Sequence, residues 1–289
     1  MWFLYSLFFA LWSAISIFIT KNLTKTFQPL PLLYTVFLFY LPCTFITMLL
    51  TGGIPHASGS FYLFMLISAI MDAAAFNFSF RAISLSPISL VAPIQSFAPI
   101  ITTLTAILAL GETPTFLKFT GILFTVVGAY LLNASDVKKG ILSPIKNLAQ
   151  DKGTQLSFAA TVLWGFTPIF QKKALFEISP RVPLYASFVG IFLVTLILTP
   201  FAFKNTWKHR GKIPMNLKWF FLCGAGGALA QLAAYNAFSI INVGYASAVF
   251  KTSTFFVVLL GGLFLKEKRF RERMAASLVM FLGVLFLVT

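Results

Sequence analysis

Two charged side chains, Asp72 and Lys251, stand inside long apolar stretches of this 289-residue chain. An ionised group in hydrocarbon costs roughly 2.5–3.5 kcal/mol on insertion scales, so such residues face a protein interior or a water-filled cavity. A buried ammonium can bind a carboxylate or phosphate, and a buried carboxylate can bind an amine. The two groups together would suit a zwitterion such as an amino acid.

The surroundings of Lys251 are polar along one face. Ser247, Lys251 and Thr254 are spaced by four and three residues, so they share one side of a helix. Such a stripe is unfavourable against lipid, which favours a cavity. Two other interpretations remain open: Lys251 could form a buried structural ion pair with Asp72, or extend its ammonium to the membrane surface.

A second polar group, Gln95 and Ser96, lies between two prolines. Pro93 and Pro99 remove backbone donors and free carbonyl groups, and such breaks are tolerated where a helix lines a cavity or another helix. We therefore expect a binding site between this segment and the one around Lys251.

The composition indicates which kind of secondary structure carries these polar residues. Hydrophobic residues make up 58% of the chain and charged residues 10%, and the mean hydropathy is +0.89. A soluble domain has about 25% charged residues. The composition predicts an all-α polytopic membrane protein in the lipid bilayer. The net charge of +15 lies in short runs between apolar stretches, which indicates topology signals rather than nucleic-acid binding.

A helix needs about 20 apolar residues to cross a bilayer. Ten windows of this kind predict ten transmembrane helices: 2–20, 30–51, 60–80, 86–110, 114–133, 155–176, 182–203, 217–238, 244–265 and 271–289. Between the fifth and sixth lies a longer connection, 134–153. Its apolar residues recur at helical spacing among lysines, which predicts an amphipathic linker helix on the membrane. A solvated linker is the alternative.

The chain contains an internal duplication. Matching landmarks recur in the same order at shifts of 152–159 residues: Trp12/Trp164, Phe18/Phe170, Lys21/Lys173, Pro31/Pro183, Asn77/Asn236, Glu112/Glu267 and Gly128/Gly283. The sequence therefore predicts a first five-helix repeat at 1–133, the linker at 134–153, and a second five-helix repeat at 154–289. Because five is odd, the second copy should be inverted around a central cavity, an arrangement typical of secondary transporters.

The duplication also relates residues of the predicted site. Asp72 maps onto Gln231, and Lys251 maps onto Ser96. Trp12 and Trp164 could stack on a ligand or fill the bundle core. The predicted substrate-binding residues are Trp12, Asp72, Asn77, Gln95, Ser96, Trp164, Gln231, Tyr235, Asn236, Lys251 and Thr254.

The chain resembles a known family. Each fourth helix runs into an acidic residue, at Leu110-Gly111-Glu112 and at Leu265-Lys266-Glu267, and each fifth helix carries glycine. This pattern resembles the drug/metabolite transporter superfamily, specifically its EamA-type members. Lys266 departs from the repeat by replacing Gly111. The resemblance implies a basket of ten helices whose first, third, fourth, sixth, eighth and ninth members line a cavity for amino acids, sugars, nucleotides or drugs.

Enzyme functions fit this sequence poorly. Its two histidines, His56 and His209, lie in predicted loops, and we find neither metal-ligand spacing nor a phosphate-binding loop for ATP. We expect no catalytic residues, metal or cofactor, and a carrier driven by gradients, with protons or another coupling ion as candidate partners. The preferred substrate is an amino acid or similar zwitterion. Alternatives are phosphorylated or nucleotide-linked anions, organic cations or drugs, and, outside carriers, a channel or membrane enzyme.

The distribution of basic residues predicts orientation. Loops after odd-numbered helices carry 17 Lys and Arg, and loops after even-numbered helices carry 4. The positive-inside rule then puts the odd loops in the cytoplasm and both termini outside, and we expect a prokaryotic inner membrane. The family resemblance implies cytoplasmic termini instead, and we follow the charge count. We expect a monomer.

Overall fold

The computed structural model describes residues 1–24, 26–51, 53–86, 88–134, 140, 142–179, 182–208, 210–265 and 270–289. Most of them are helical. The helices are α1 (Trp2–Leu23), α2 (Pro29–Thr51), α3 (Gly59–Leu85), α4 (Ile88–Gln95), α5 (Ala98–Leu110), α6 (Phe116–Ala134), α7 (Ser143–Lys146), α8 (Lys152–Phe176), α9 (Pro183–Lys208), α10 (Leu217–Ile240), α11 (Val243–Phe250), α12 (Ser253–Leu265) and α13 (Phe270–Val288). Two short strands, β1 (His56–Ala57) and β2 (Ile178–Ser179), pair antiparallel.

Six described segments are long and apolar enough to cross a membrane: Trp2–Thr20, Pro29–Leu50, Gly59–Ala82, Val91–Leu110, Pro183–Lys208 and Arg210–Ile240. Two shorter apolar helices, Phe116–Leu132 and Ala276–Val288, fall in the fifth and tenth predicted windows. The windows at 155–176 and 244–265 are not among these segments. The first corresponds to α8, which contains Lys172 and Lys173, and the second is interrupted at Lys251.

The fourth predicted window is two helices rather than one. α4 ends at Gln95 and α5 begins at Ala98. Between them, the amides of Ser96 and Phe97 donate to carbonyls three residues earlier, each at 3.2 Å. The break follows from Pro99, which cannot donate the amide hydrogen bond that a continuous helix requires there.

The ninth predicted window is interrupted in the same way. The amides of Lys251 and Thr252 donate to carbonyls three residues earlier, at 3.1 and 3.0 Å, between α11 and α12. No proline causes this break. The Thr252 hydroxyl donates to the Val249 carbonyl at 2.8 Å, and a side chain that bonds locally in this way competes with the regular helical pattern. The break at Lys251 lies 155 positions after the one at Ser96.

The most extensive helix contacts join α3 to α8 and α6 to α13. Glycine permits the second contact. A Cβ on Gly128 would fall 2.5 Å from the Met280 amide nitrogen, and one on Gly283 would fall 2.5 Å from the Gly121 carbonyl oxygen. Gly128 and Gly283 are duplication partners in the sequence, and they hold α6 and α13 together across the two halves of the chain.

The helix bundle has two distinct ends. At the one that we call the strand end, β1 pairs with β2, and the Ser58 hydroxyl donates to the Glu177 carboxylate at 2.8 Å. At the opposite end, called the linker end, the Ser86 hydroxyl donates to the Asp151 carboxylate, and Asp151 caps α8 by accepting from the Thr154 amide at 2.7 Å. Both ends of α3 are thus fastened to α8.

The described part of the predicted linker is only partly helical. It contains the single turn of α7 and a 3-10 turn, Asn147–Ala149. Leu142 and Ile145 are exposed there, as a membrane-facing side would require. Residues 135–139 and Ile141 lie outside the described part, as does the Lys266-Glu267 motif. The amphipathic linker and the exact repeat boundaries therefore stay predictions.

Candidate substrate cavity

A cavity of about 680 Å³ lies among the helices. The resemblance implied walls from the first, third, fourth, sixth, eighth and ninth predicted helices. All of these contribute, and α2 and α9 contribute as well. Nine of the predicted site residues line it: Trp12, Asp72, Gln95, Ser96, Trp164, Gln231, Tyr235, Lys251 and Thr254.

Two predicted residues, Asn77 and Asn236, do not line the cavity. Asn236 uses its side-chain amide to donate to the Leu232 carbonyl of its own helix, at 2.9 Å. Duplication partners occupy matching positions, so the same helix geometry that brings Asp72 and Gln231 to the cavity turns both asparagines away from it. Asn77 and Asn236 are thus equivalent in the two repeats, but neither belongs to the cavity wall.

Asp72 is held in the wall by its neighbours. The Gln171 side-chain amide donates to its carboxyl group at 3.3 Å. Gln171 is on α8, opposite Asp72 on α3. Thr167, one turn earlier on α8, also lines the cavity and donates its hydroxyl proton to the Leu163 carbonyl at 2.9 Å. The Asp72 carboxyl is thus positioned by a neutral donor and has no described cation within ion-pair distance, so it can bind a cation.

Lys251 lies at the break between α11 and α12. It forms no ion pair with Asp72, although both side chains line the same cavity. No described residue offers Lys251 a carboxylate within ion-pair distance. The buried ion pair considered from the sequence is therefore absent, and the cavity keeps an acidic and a basic group outside ion-pair distance of each other.

Polar and aromatic groups surround these charges. The Gln95 side-chain amide donates to the Ser79 hydroxyl at 2.8 Å. Trp164 meets Phe76 edge to face, with ring centroids 5.5 Å apart. The wall is thus mostly apolar with a few fixed polar groups, the usual character of small-molecule sites.

Two glycines of α10 make room for aromatic rings. A Cβ on Gly226 would overlap the Trp12 ring, and one on Gly227 would overlap the Tyr40 ring. Tyr40 was missed by the sequence interpretation because α2 was not expected to line the cavity. The adjacent glycines Gly226 and Gly227 are the sequence feature that could have indicated it, because they leave room for the rings of Trp12 and Tyr40. Trp12 keeps a buried indole nitrogen that has no hydrogen-bond partner among the described residues.

An ion pair and two hydrogen bonds join several helices at the strand end. There the Lys172 ammonium binds Glu112 at 2.6 Å and donates to the Ile241 carbonyl at 2.8 Å. The other Glu112 oxygen accepts from the Val243 amide at 2.9 Å. These contacts join the ends of α5 and α8 to the connection between α10 and α11. We refer to them as the strand-end clamp.

The cavity lining approaches both ends of the bundle. Toward the linker end it reaches Thr20, near the end of α1, and Leu32, near the start of α2. Toward the strand end it reaches Phe238, near the end of α10, and Gln171, one residue before Lys172 of the clamp. The clamp therefore lies next to the cavity at the strand end.

Fold and site together define a multi-pass helical membrane protein with a polar cavity among its spans. The family model of the EamA-like transporter family matches residues 1–134 and 151–289, and the chain belongs to that family. Because the family model matches twice, the two halves are two EamA repeats. The family is part of the drug/metabolite transporter superfamily, so the chain is a membrane transporter of small molecules.

The fold is also similar to a solved structure titled "Crystal structure of protein". The TM-score is 0.72 at 15% sequence identity, over 98% of this chain and 98% of that one. At this identity the similarity concerns the fold alone. No curated protein matches the chain.

Proposed function

We propose that the chain is a secondary active carrier that moves an amino acid or similar zwitterion across the membrane by alternating access. The observation that carries the proposal is the separation of Asp72 and Lys251 within one cavity. An ammonium group of the substrate would supply the missing cation at Asp72, and its carboxylate would bind Lys251. One zwitterion compensates both charges without adding net charge to the cavity.

The transport cycle follows from the two repeats. Ten helices in two inverted five-helix repeats allow each half to adopt the conformation of the other. The present form, with the clamp formed at the strand end, fits one of the two states of such a cycle. Gradients drive transport, with protons or another ion as the coupling partner, and the chain catalyses no covalent change.

Our proposal for the cellular arrangement follows the charge count. The linker end, which carries most basic loops, faces the cytoplasm of a prokaryotic inner membrane, and both termini face outward. The carrier acts as a monomer, because one chain supplies every wall of the cavity.

A second candidate substrate is a phosphorylated or nucleotide-linked anion. One asymmetry favours it: Asp72 accepts a hydrogen bond from Gln171, whereas Lys251 has no acidic partner among the described residues. An organic cation held by Asp72 and the aromatic walls is the third candidate.

The experiment that separates these candidates is a thermal-shift screen of the purified protein against amino acids, sugar phosphates and organic cations. A ligand that binds only the folded protein raises its melting temperature. The proposal expects stabilisation by amino acids that is lost in both Asp72→Asn and Lys251→Met. Stabilisation by sugar phosphates that depends on Lys251 alone would favour the anion, and stabilisation by organic cations that depends on Asp72 alone would favour the cation.

A further inference from the structure

Five exposed cations lie at the connection between α9 and α10. None of them lines the cavity: Lys204, Lys208, Arg210, Lys212 and Lys218. α9 begins beside β2 at the strand end and extends over 26 residues, so its final turn lies at the linker end. We call the described residues 204–208 and 210–219 the basic turn.

The charge of the basic turn is not compensated within the described structure. The sequence contains no Asp or Glu between Glu177 and Glu267. The ion pair found among the described residues joins Lys172 to Glu112 and involves none of these five cations. Positive charge of this density at the end of a membrane helix attracts anionic lipid, and the attraction falls off within a Debye length of the surface.

Exposed aromatic rings place the basic turn at the membrane boundary. Phe203 is 51% exposed and Trp207 is 55% exposed, and their rings stack with centroids 5.8 Å apart. Tryptophan is enriched where hydrocarbon meets headgroups, because its ring is apolar and its N–H is polar. The two rings therefore mark the depth of the interface on this side.

Two of the cations lie over tryptophan rings. The Arg210 guanidinium sits 4.7 Å from the Trp207 ring centroid and donates to the Trp207 carbonyl at 3.4 Å. Lys218 holds its ammonium 5.1 Å from the Trp219 ring. Charges fixed at the depth of interfacial tryptophans are at the level of lipid phosphates.

The backbone of the basic turn is internally hydrogen-bonded. Two 3-10 turns, Arg210–Lys212 and Pro214–Asn216, follow each other. The Ile213 amide donates to the Arg210 carbonyl at 3.1 Å, and the Asn216 side chain donates to the Lys212 carbonyl at 3.1 Å. A preformed turn loses less conformational entropy when it binds a ligand than a flexible loop would.

From these contacts we propose that the basic turn binds the headgroup phosphates of anionic phospholipids in the adjacent leaflet. Phe203 and Trp207 enter the boundary between acyl chains and headgroups, and Lys208, Arg210 and Lys212 bind the phosphates. The basic turn does not line the cavity. The lipid proposal can therefore be confirmed or contradicted without knowledge of the transported substrate.

The test measures binding of fluorescent phosphatidylglycerol and phosphatidylcholine to the full chain in detergent. The variant K208Q/R210Q/K212Q removes three charges of the basic turn. The matched control K138Q/K139Q/K146Q removes three charges from the linker. We expect the wild type to prefer phosphatidylglycerol, the turn variant to lose on the order of tenfold or more in affinity, and the linker variant to stay within about twofold.

Three results would overturn the proposal. Equal losses in the two triple variants would mean diffuse attraction to the whole charged end. No preference for phosphatidylglycerol in the wild type would remove the site altogether. Competition by free glycerol phosphate as effective as competition by the lipid would assign the cations to a soluble phosphate. If the triple variant fails to fold, as judged by its melting temperature, K208Q and K212Q singly give the same readout.

Discussion

Lys251 is the residue on which the substrate proposal depends most. Replacement by methionine keeps much of the stem and removes the charge. If Lys251 binds an acidic group of the substrate, Lys251→Met should weaken binding by about 1.5–3 kcal/mol, roughly 10- to 150-fold in Kd. Ligand titration of the purified variant measures this loss.

The matched control for that variant is Lys173→Met. Lys173 is on α8, does not line the cavity, and holds its ammonium 5.9 Å from the Phe64 ring. Its replacement should leave affinity unchanged. Unchanged affinity in Lys251→Met would remove Lys251 from the binding site.

Gly227 leads to a different prediction, about the space left for Tyr40. Gly227→Ala puts a methyl group into the Tyr40 ring, so the ring or the helix must move. Overpacking of this kind costs about 1–3 kcal/mol of stability, and the melting temperature in detergent should fall accordingly. Gly211→Ala is the control: a Cβ added there would meet no atom within 4 Å, so its melting temperature should not change. Equal melting temperatures for the two variants would show that Tyr40 moves without cost.

At the residue scale, Asp72 and Lys251 were recognisable in the sequence because charged groups are costly in apolar helices. Gln231 was recognisable because it matches Asp72 in the duplication, and all three residues line the cavity. Gln171 was not among the predicted site residues, since its contact with Asp72 depends on how α3 packs against α8. Pairing between distant helices leaves no local pattern in the chain.

The strand-end clamp contains a nearly buried ion pair that joins the two halves of the chain. Lys172 and Glu112 are 11% and 10% exposed, and removing one partner of a buried pair costs about 3–5 kcal/mol. Glu112→Gln should therefore lower the melting temperature strongly, and adding Lys172→Met should recover part of the loss. Glu177→Gln, which affects a carboxylate hydrogen-bonded to Ser58, is the control and should cost much less. Additive losses in the double variant would contradict a coupled pair.

The N-terminus of α8 leads to a prediction about pH. Partial burial alone would raise the pKa of Asp151, but hydrogen bonds from Ser86, Thr154 and the backbone amide of Gly153 lower it below its ordinary value. A carboxyl whose pKa is lower in the folded state stabilises the fold above its unfolded pKa of about 3.9, and this contribution is lost as pH falls through the folded value.

Comparison of the wild type with Asp151→Asn tests the predicted direction in which stability changes with pH. Asparagine can still cap the helix, so the variant removes the charge and keeps an acceptor. The wild type should melt above the variant at pH 6, and the difference should shrink below about pH 4. A difference that does not change between about pH 6 and pH 3 would contradict the role of the carboxylate.

The positions of helices were predictable where an uninterrupted apolar stretch marks the whole helix. The windows at 2–20, 30–51 and 182–203 correspond to α1, α2 and α9. The interruption at Lys251 was not predicted, because no proline marks it and the Thr252 hydroxyl acts through a local hydrogen bond. The polar character of α8 likewise reflects contact with α3 inside the protein rather than with lipid.

For the whole molecule, composition and duplication were sufficient to predict a membrane carrier built from two similar halves, and the family match agrees with a membrane transporter of two repeats. The strand-end clamp was not predictable, because it depends on a contact between Lys172 and Glu112, which come from different repeats. The substrate remains a proposal, because cavity charge restricts its chemistry without specifying one compound.

The most direct test of the account is counterflow in proteoliposomes. Vesicles loaded with an unlabelled amino acid, without ATP, should accumulate the labelled amino acid transiently from outside, and Asp72→Asn and Lys251→Met should each reduce that accumulation. Lys173→Met should not. No accumulation with any amino acid in a full panel would contradict a zwitterion carrier, and entry that neither saturates nor shows counterflow would indicate a channel.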